Sequence, residues 1–239
     1  MRRVHGINPV LEALKAGQVT RLKVGPRDDG RVREVLALAA AQGLPVVRVE
    51  VEQLRRESDG GVHQGIVAEL RPTKGVGVAE LARRGGGAPL LVVLDGVEDP
   101  HNVGAILRSV DAAGAHGLIR QTRRAAPLDQ GAAKASAGAF AYVPVADVVN
   151  IARAIDELKS LGVWVVGLSA DASLTHDSVD WTLPSALVVG AEGHGLRRLV
   201  RESCDLTARI PMAGHVESLN VSVATGVVLF EAARQRRKR

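Results

Sequence analysis

LLVVLDGVEDPHNVGAILRSVDAAGA, residues 90–115, is the stretch on which the reading of the fold turns. Its first six residues are an apolar run without alternation, the mark of a strand buried on both faces in a parallel sheet covered by helices. A polar knot follows, and Asp99-Pro100 is a helix start: an acceptor side chain at the cap, then a proline whose missing N–H costs nothing in the first turn. Gly114 supplies the stop. At 100° per residue Val103, Ile106, Leu107 and Val110 form a buried stripe. His101, Gly104, Ala105, Arg108 and Ala112 share the opposite side, so a single arginine stands among small residues where another chain or a ligand could approach the backbone.

The strand signal recurs at 116–120, 141–145, 163–168, 185–190 and 206–210, mostly with helical patterns between. That alternation predicts a parallel sheet with ligands outside the carboxyl ends of its strands. Three of those ends run into polar or glycine-rich loops: GVEDPHN (96–102), AEGHG (191–195) and PMAGHVESLN (211–220). Convergence of the three would make a site. The stretch SLNVSVATGVVLFEAARQR (218–236) alternates like a strand at Leu219, Val221 and Val223 and then continues like a helix, so pattern alone leaves it open.

Upstream, ARRGGGAP (82–89) breaks the periodicity and sets a division into residues 1–72, a linker 73–88, and a larger unit 89–239. The first unit reads as a small α/β sandwich. A helix starts at Asn8-Pro9 and stops at Gly17. It is followed by a strand at 20–24, a helix at about 29–42, a strand at 46–50, a short helix and a strand at 65–70.

Composition sets the outer limits. With 239 residues and 46% hydrophobic content the chain has ample core, but two Trp, one Tyr and two Phe leave that core to Val, Leu, Ile and Ala. The single cysteine, Cys204, excludes a disulfide framework or a cysteine-cluster metal site, and no metal ligand set is expected. Met1-Arg2-Arg3 leads into no apolar signal segment and no run is long enough to span a bilayer, so a cytoplasmic protein is expected. Residues 1–72 carry 12 Lys/Arg against 9 Asp/Glu, whereas 89–239 balance at 16 each, five of the basic ones in the tail RQRRKR (234–239). Such runs are usually solvated surface; the sharper reading is a phosphate-contacting first unit and a basic arm beside a catalytic body. No Walker loop, dinucleotide fingerprint, Gly-x-Ser-x-Gly elbow or His-Glu-x-x-His occurs.

DPHNVGAILRSVDAAGAHG (99–117), LVVGAEGHGLRRLV (187–200) and CDLTARIPMAGHVESLNVSVATGVVLFEA (204–232) match, in order and spacing, the three motifs of the SpoU (TrmH-like) branch of the SPOUT superfamily. These are RNA ribose 2′-O-methyltransferases. KASAGA (134–139), HGINPVLEAL near the start and SDGGVHQGIVAEL (58–70) add to the likeness. The last two make the chain resemble most the members that methylate a guanosine of 23S ribosomal RNA. The resemblance implies a parallel α/β sheet with a C-terminal trefoil knot, which general fold rules disfavour. It also implies an L30e-like RNA-binding first domain, S-adenosylmethionine as cofactor, 23S rRNA as partner, and a homodimer without membrane or DNA partners. Residues 218–234 become chiefly helix. Carried over by position, Arg108, Asn102, Glu192, Ser218 and Asn220 are the catalytic group, and Gly190, Ile210 and Leu219, with Leu168 and Met212, contact the cofactor. A guanidinium is a poor base, so Arg108 is expected to grip the phosphate beside the target ribose and to help the 2′-hydroxyl lose its proton; whether it takes the proton itself is open. A tRNA or antibiotic-resistance rRNA methyltransferase has the same motifs, and a non-catalytic RNA-binding assembly factor is the alternative from another class.

Overall fold

The computed structural model describes residues 3–71, 75–84, 87–122 and 130–237; parts of the expected linker and the last two residues of the basic tail lie outside the described residues. The first unit is a four-stranded sheet of β1 (Arg3–His5), β2 (Val19–Val24), β3 (Val46–Arg48) and β4 (Ile66–Leu70), ordered β1-β4-β2-β3. β4 is antiparallel to β1 and β2, and β2 is parallel to β3. Helices α1 (Ile7–Lys15), α2 (Gly30–Ala41) and α3 (Val51–Glu57) connect the strands. Leu22 and Val24 of β2 enter the core, while Lys23 lies on the opposite face, largely buried and held by Glu57 and Glu69 at 2.8 and 2.9 Å.

The expected helix start at Asn8-Pro9 is corrected. α1 begins at Ile7, whose N–H donates to the side-chain oxygen of Gln64 at 2.9 Å, and Gly6 holds the cap position at φ 88°. The acceptor comes from 57 residues downstream, where no local pattern could reveal it. Within the expected linker, α4 (Val78–Ala82) is helical, and Val78 and Leu81 are buried in the same cluster as Leu91, Val93 and Ile119.

The larger sheet has seven strands: β5 (Leu90–Asp95), β6 (Gly117–Gln121), β7 (Val145–Val148), β8 (Trp164–Leu168), β9 (Leu174–Thr175), β10 (Ser185–Gly190) and β11 (Leu206–Arg209). Their order is β7-β6-β5-β10-β8-β11-β9, and every pairing is parallel. All six residues of β5 are buried, as a strand covered on both faces requires. Leu90, Val92 and Leu94 join one apolar cluster; Leu91 and Val93 join the other. Helices α5 (Pro100–Ala112), α6 (Gln130–Ala135), α7 (Ile151–Ser160), α8 (Arg198–Ser203) and α9 (Val221–Arg237) cover the sheet. The strand expected at 141–145 is displaced: Ala139–Ala141 form a 3-10 turn, and β7 begins only after Pro144, whose carbonyl accepts from Leu118 N–H at 3.0 Å. A proline cannot donate to the ladder, so it stands before the strand rather than in it.

α5 is closed on the side that its small residues left free. A Cβ added to Gly104 would lie 2.5 Å from the Ala135 Cβ and 2.6 Å from the Ala132 carbonyl, so α6 fills the approach expected for a ligand or second chain. Gly226 of α9 faces Ser109. The two units also touch directly: the Tyr142 hydroxyl donates to the Glu12 carbonyl and carboxylate at 3.3 and 3.2 Å, and the Gln18 side-chain amide donates to the Ala141 carbonyl. No helix among the described residues is long and apolar enough to cross a membrane.

Candidate active site

The chain leaves β5 toward β6 and β7, and the later strand β10 inserts between β5 and β8. Strand order reverses at this seam, and its carboxyl end is where an open α/β sheet offers a crevice. Asp95 and Gly190 are register partners there. A Cβ on Gly190 would fall 2.1 Å from the carbonyl carbon and oxygen of Gly195 and 2.4 Å from Leu196 N, so only glycine lets the following loop fold back over the strand end. The turn closes with Gly195 N–H donating to the Ala191 carbonyl at 2.9 Å, and Gly193 and Gly195 take φ of 75° and 63°.

Three loops meet at that edge. The Asn102 amide in the first turn of α5 donates to Glu192 Oε1 at 3.0 Å. Asn220 Nδ2 donates to the same carboxylate oxygen at 2.6 Å and to Asn102 Oδ1 at 3.0 Å. Asn220 Oδ1 also accepts from the Ser222 N–H at 2.9 Å and so caps α9. Residues 90 and 118 positions apart are thus tied in one closed network. Asn102 is buried and Glu192 is exposed.

Beside the network lies a cavity of about 630 Å³, within the range of small-molecule sites. Leu168, Gly190, Ile210, Met212 and Leu219 all line it, as do Glu192, Ser218 and Asn220. The wall is therefore mixed, with apolar side chains suited to a flat ring and exposed main chain suited to its polar edge. One rim is polar: the Ser169 hydroxyl donates to Asp171 at 2.6 Å, and Arg201 bonds the other carboxylate oxygen at 2.8 Å. Ser218 makes no hydrogen bond among the described residues. Cys204 does not line the cavity; burial pushes its thiol up to about 12, and its Sγ–H donates to the Val200 carbonyl.

Arg108 stands apart. It is exposed, lies beyond Asn102 on α5, does not line the cavity of its own chain, and has no hydrogen bond or ion pair among the described residues. Sequence reasoning also missed a pair at this edge. Asp95, with its side chain fully buried, accepts the Arg197 main-chain N–H at 2.8 Å and Nε–H at 2.6 Å, and Arg197 also donates to Gln121 Oε1 at 2.9 Å. The acidic end of an apolar strand was the available signal; its partner lies 102 residues away.

Comparison with known proteins agrees with this geometry. The SpoU rRNA Methylase family matches residues 89–230, and the family of RNA 2′-O ribose methyltransferase substrate-binding domains matches residues 3–75. The 23S rRNA (guanosine-2′-O-)-methyltransferase RlmB of Pseudomonas syringae pv. tomato is 45% identical over 99% of this chain and 96% of its own. The enzyme of the same name from Pseudomonas aeruginosa is 45% identical over 98% and 96%. The crystal structure of the SpoU methyltransferase AviRb from Streptomyces viridochromogenes, in complex with the cofactor AdoMet, superposes with a TM-score of 0.84. It is 28% identical and covers 99% of this chain and 91% of that one.

Proposed function

Because the chain belongs to the SpoU family of rRNA methylases, we propose that it transfers the methyl group of S-adenosylmethionine to the ribose 2′-hydroxyl of a guanosine in 23S ribosomal RNA. The observation that carries this reading is the fastening of Asn102, Glu192 and Asn220 beside one cavity lined by Leu168, Gly190, Ile210, Met212 and Leu219. DNA lacks the attacking hydroxyl and is not a substrate.

When bound, S-adenosylmethionine supplies a methyl group on a positively charged sulfur that needs no further activation. The protein's main task is orientation, which can be worth about 7–11 kcal/mol. Leu168, Ile210, Met212 and Leu219 enclose the adenine, and main chain around Gly190 reads its edge. Asn102, Glu192 and Asn220 act by holding the loops in one geometry, since both amides donate to Glu192 Oε1 and Asn220 donates also to Asn102 Oδ1. Ser218 is the wall hydroxyl left to meet the ribose. Arg108 grips the phosphate beside that ribose and stabilises the oxygen as its proton leaves; a guanidinium holds its own proton too firmly to be an effective base.

The same reading includes a homodimer. Leu219, Val223, Val227 and Phe230 are 37–51% exposed and recur at helical spacing along and just before α9, an apolar stripe suited to a second copy. Arg108, without a partner among the described residues and outside its own cavity, serves the partner's site. It also includes the trefoil knot that the family resemblance implies, with residues 210–220 between β11 and α9 as the knotted segment. Residues 1–72 take the role of the RNA-holding domain, and the proposed substrate makes the compartment cytoplasmic.

The test is nucleotide mapping by mass spectrometry of RNA from a strain lacking the gene, with and without restoration, alongside calorimetry with S-adenosylmethionine. One guanosine of 23S rRNA should lose and regain its ribose methyl. A loss confined to tRNA transfers the activity to that substrate, and no cofactor binding leaves only an RNA-binding factor.

A further inference from the structure

Residues 191–196 form one wall of the cavity and carry Glu192; the Gly195 N–H bond to the Ala191 carbonyl closes this turn but does not tie its far end to the sheet. That end is held from below. Arg197 follows the wall, and both its main-chain N–H and its guanidinium bond Asp95, which does not line the cavity. Gln121 at the end of β6 takes a further guanidinium N–H and in turn donates to the Val149 carbonyl at 3.2 Å. A planar fork bonded on two sides has little freedom, which a lysine ammonium would not reproduce. Asp95 sits at the last position of β5, in register with Gly190 where the wall begins. The two ends of the loop are therefore fixed to neighbouring strands, one covalently and one through a buried carboxylate.

We propose that Asp95 and Arg197 are positioning residues that set the shape of the cofactor pocket without touching the cofactor. Their pairing holds the 191–196 wall folded over Gly190, so that the Glu192 network and the adenine-facing backbone are in place before the cofactor arrives. Preorganisation of this kind appears in affinity, because a free loop must be ordered on binding. The inference rests on the cofactor reading above, and wild-type calorimetry separates the two: absence of binding there defeats the reading, not the clamp alone.

The direct test replaces the ion pair by a neutral polar pair, Asp95→Asn with Arg197→Gln, which leaves no buried charge unpaired. S-adenosylmethionine affinity by calorimetry should fall about tenfold, while kcat at saturating cofactor stays within about twofold. Arg197→Lys, which keeps both charges and loses the fork, should weaken binding about threefold, and it decides the matter if the double variant does not fold. Arg236→Met serves as the control for general destabilisation: it should lower the melting temperature and leave cofactor affinity unchanged. Wild-type affinity in a folded double variant, or in Arg197→Lys, overturns the proposal, as does an equal affinity loss in Arg236→Met.

Discussion

At the carboxyl end of the seven-stranded sheet Arg197 grips a buried carboxylate, whereas at the amino end Arg236 of α9 grips only main chain. Its guanidinium donates to the carbonyls of Ala88, Pro89, Trp181 and Leu183 at 2.6, 3.0, 2.7 and 2.9 Å, fastening the lead-in to β5 and β10. Every nitrogen there is used, and burial lowers the Arg236 pKa without a carboxylate to offset it. Arg209 on the cavity wall and Arg108 on α5 instead have side chains without partners among the described residues. The half-buried arginine of the amino end is thus spent wholly on the fold, whereas the carboxyl end holds arginines of both kinds, Arg197 and Arg201 paired with carboxylates and Arg209 open on the cavity wall.

The largest effect that sharpens this contrast is Arg108→Ala. Methyl transfer to an rRNA fragment, followed by tritium incorporation, should drop about 10²- to 10³-fold with cofactor affinity and melting temperature unchanged. Full activity would remove Arg108 from catalysis and erase the contrast. Next is Arg236→Met, which strands buried carbonyls and should cost about 2–3 kcal/mol in urea denaturation. A variant of wild-type stability would show that the amino end needs no fastening. The smallest effect is a pH dependence at that same end. His116 Nδ1 accepts the Leu90 N–H at 3.0 Å, and burial, helped by nearby Arg236, lowers its pKa below the ordinary 6.5. The folded protein therefore favours neutral His116. Its contribution is complete above pH 6.5 and is lost as pH falls through the lower folded-state value. Denaturation at pH 7.5 and at pH 5.5 should show a smaller acid loss in His116→Gln than in wild type; equal losses would exclude this group.

Much of this was legible in the chain because it was local. The strands at 90–95 and 185–190 fall on the residues that their apolar runs mark, and Asp99 caps α5 by accepting the His101 N–H, as the Asp-Pro pair foretells. The three polar strand ends were visible as loops, and the family resemblance made 218–234 chiefly helix, observed as Val221–Arg237, where alternation at Val221 and Val223 had obscured it. What escaped was long-range. Gln64 starts α1, α6 covers Gly104, and Arg197 neutralises Asp95, each through a contact made only when distant segments come together. The misplaced strand near 143 has a different cause: its valines alternate correctly, but Pro144 cannot join a ladder. Arg108 was singled out as a cation among small residues, yet the reason given was half wrong, since the small residues admit a helix rather than a ligand.

Asp95 also bears on how the molecule assembles. Until residue 197 has been synthesised, this carboxylate has no counter-ion and is held in water by its own hydration. The carboxyl end of β5 therefore closes late, after its partner strand β10 arrives from far along the chain, and such distant pairings are slow to form. Nascent chains halted before that point should keep β5 open to proteases and chaperones, and closure should come as one delayed event.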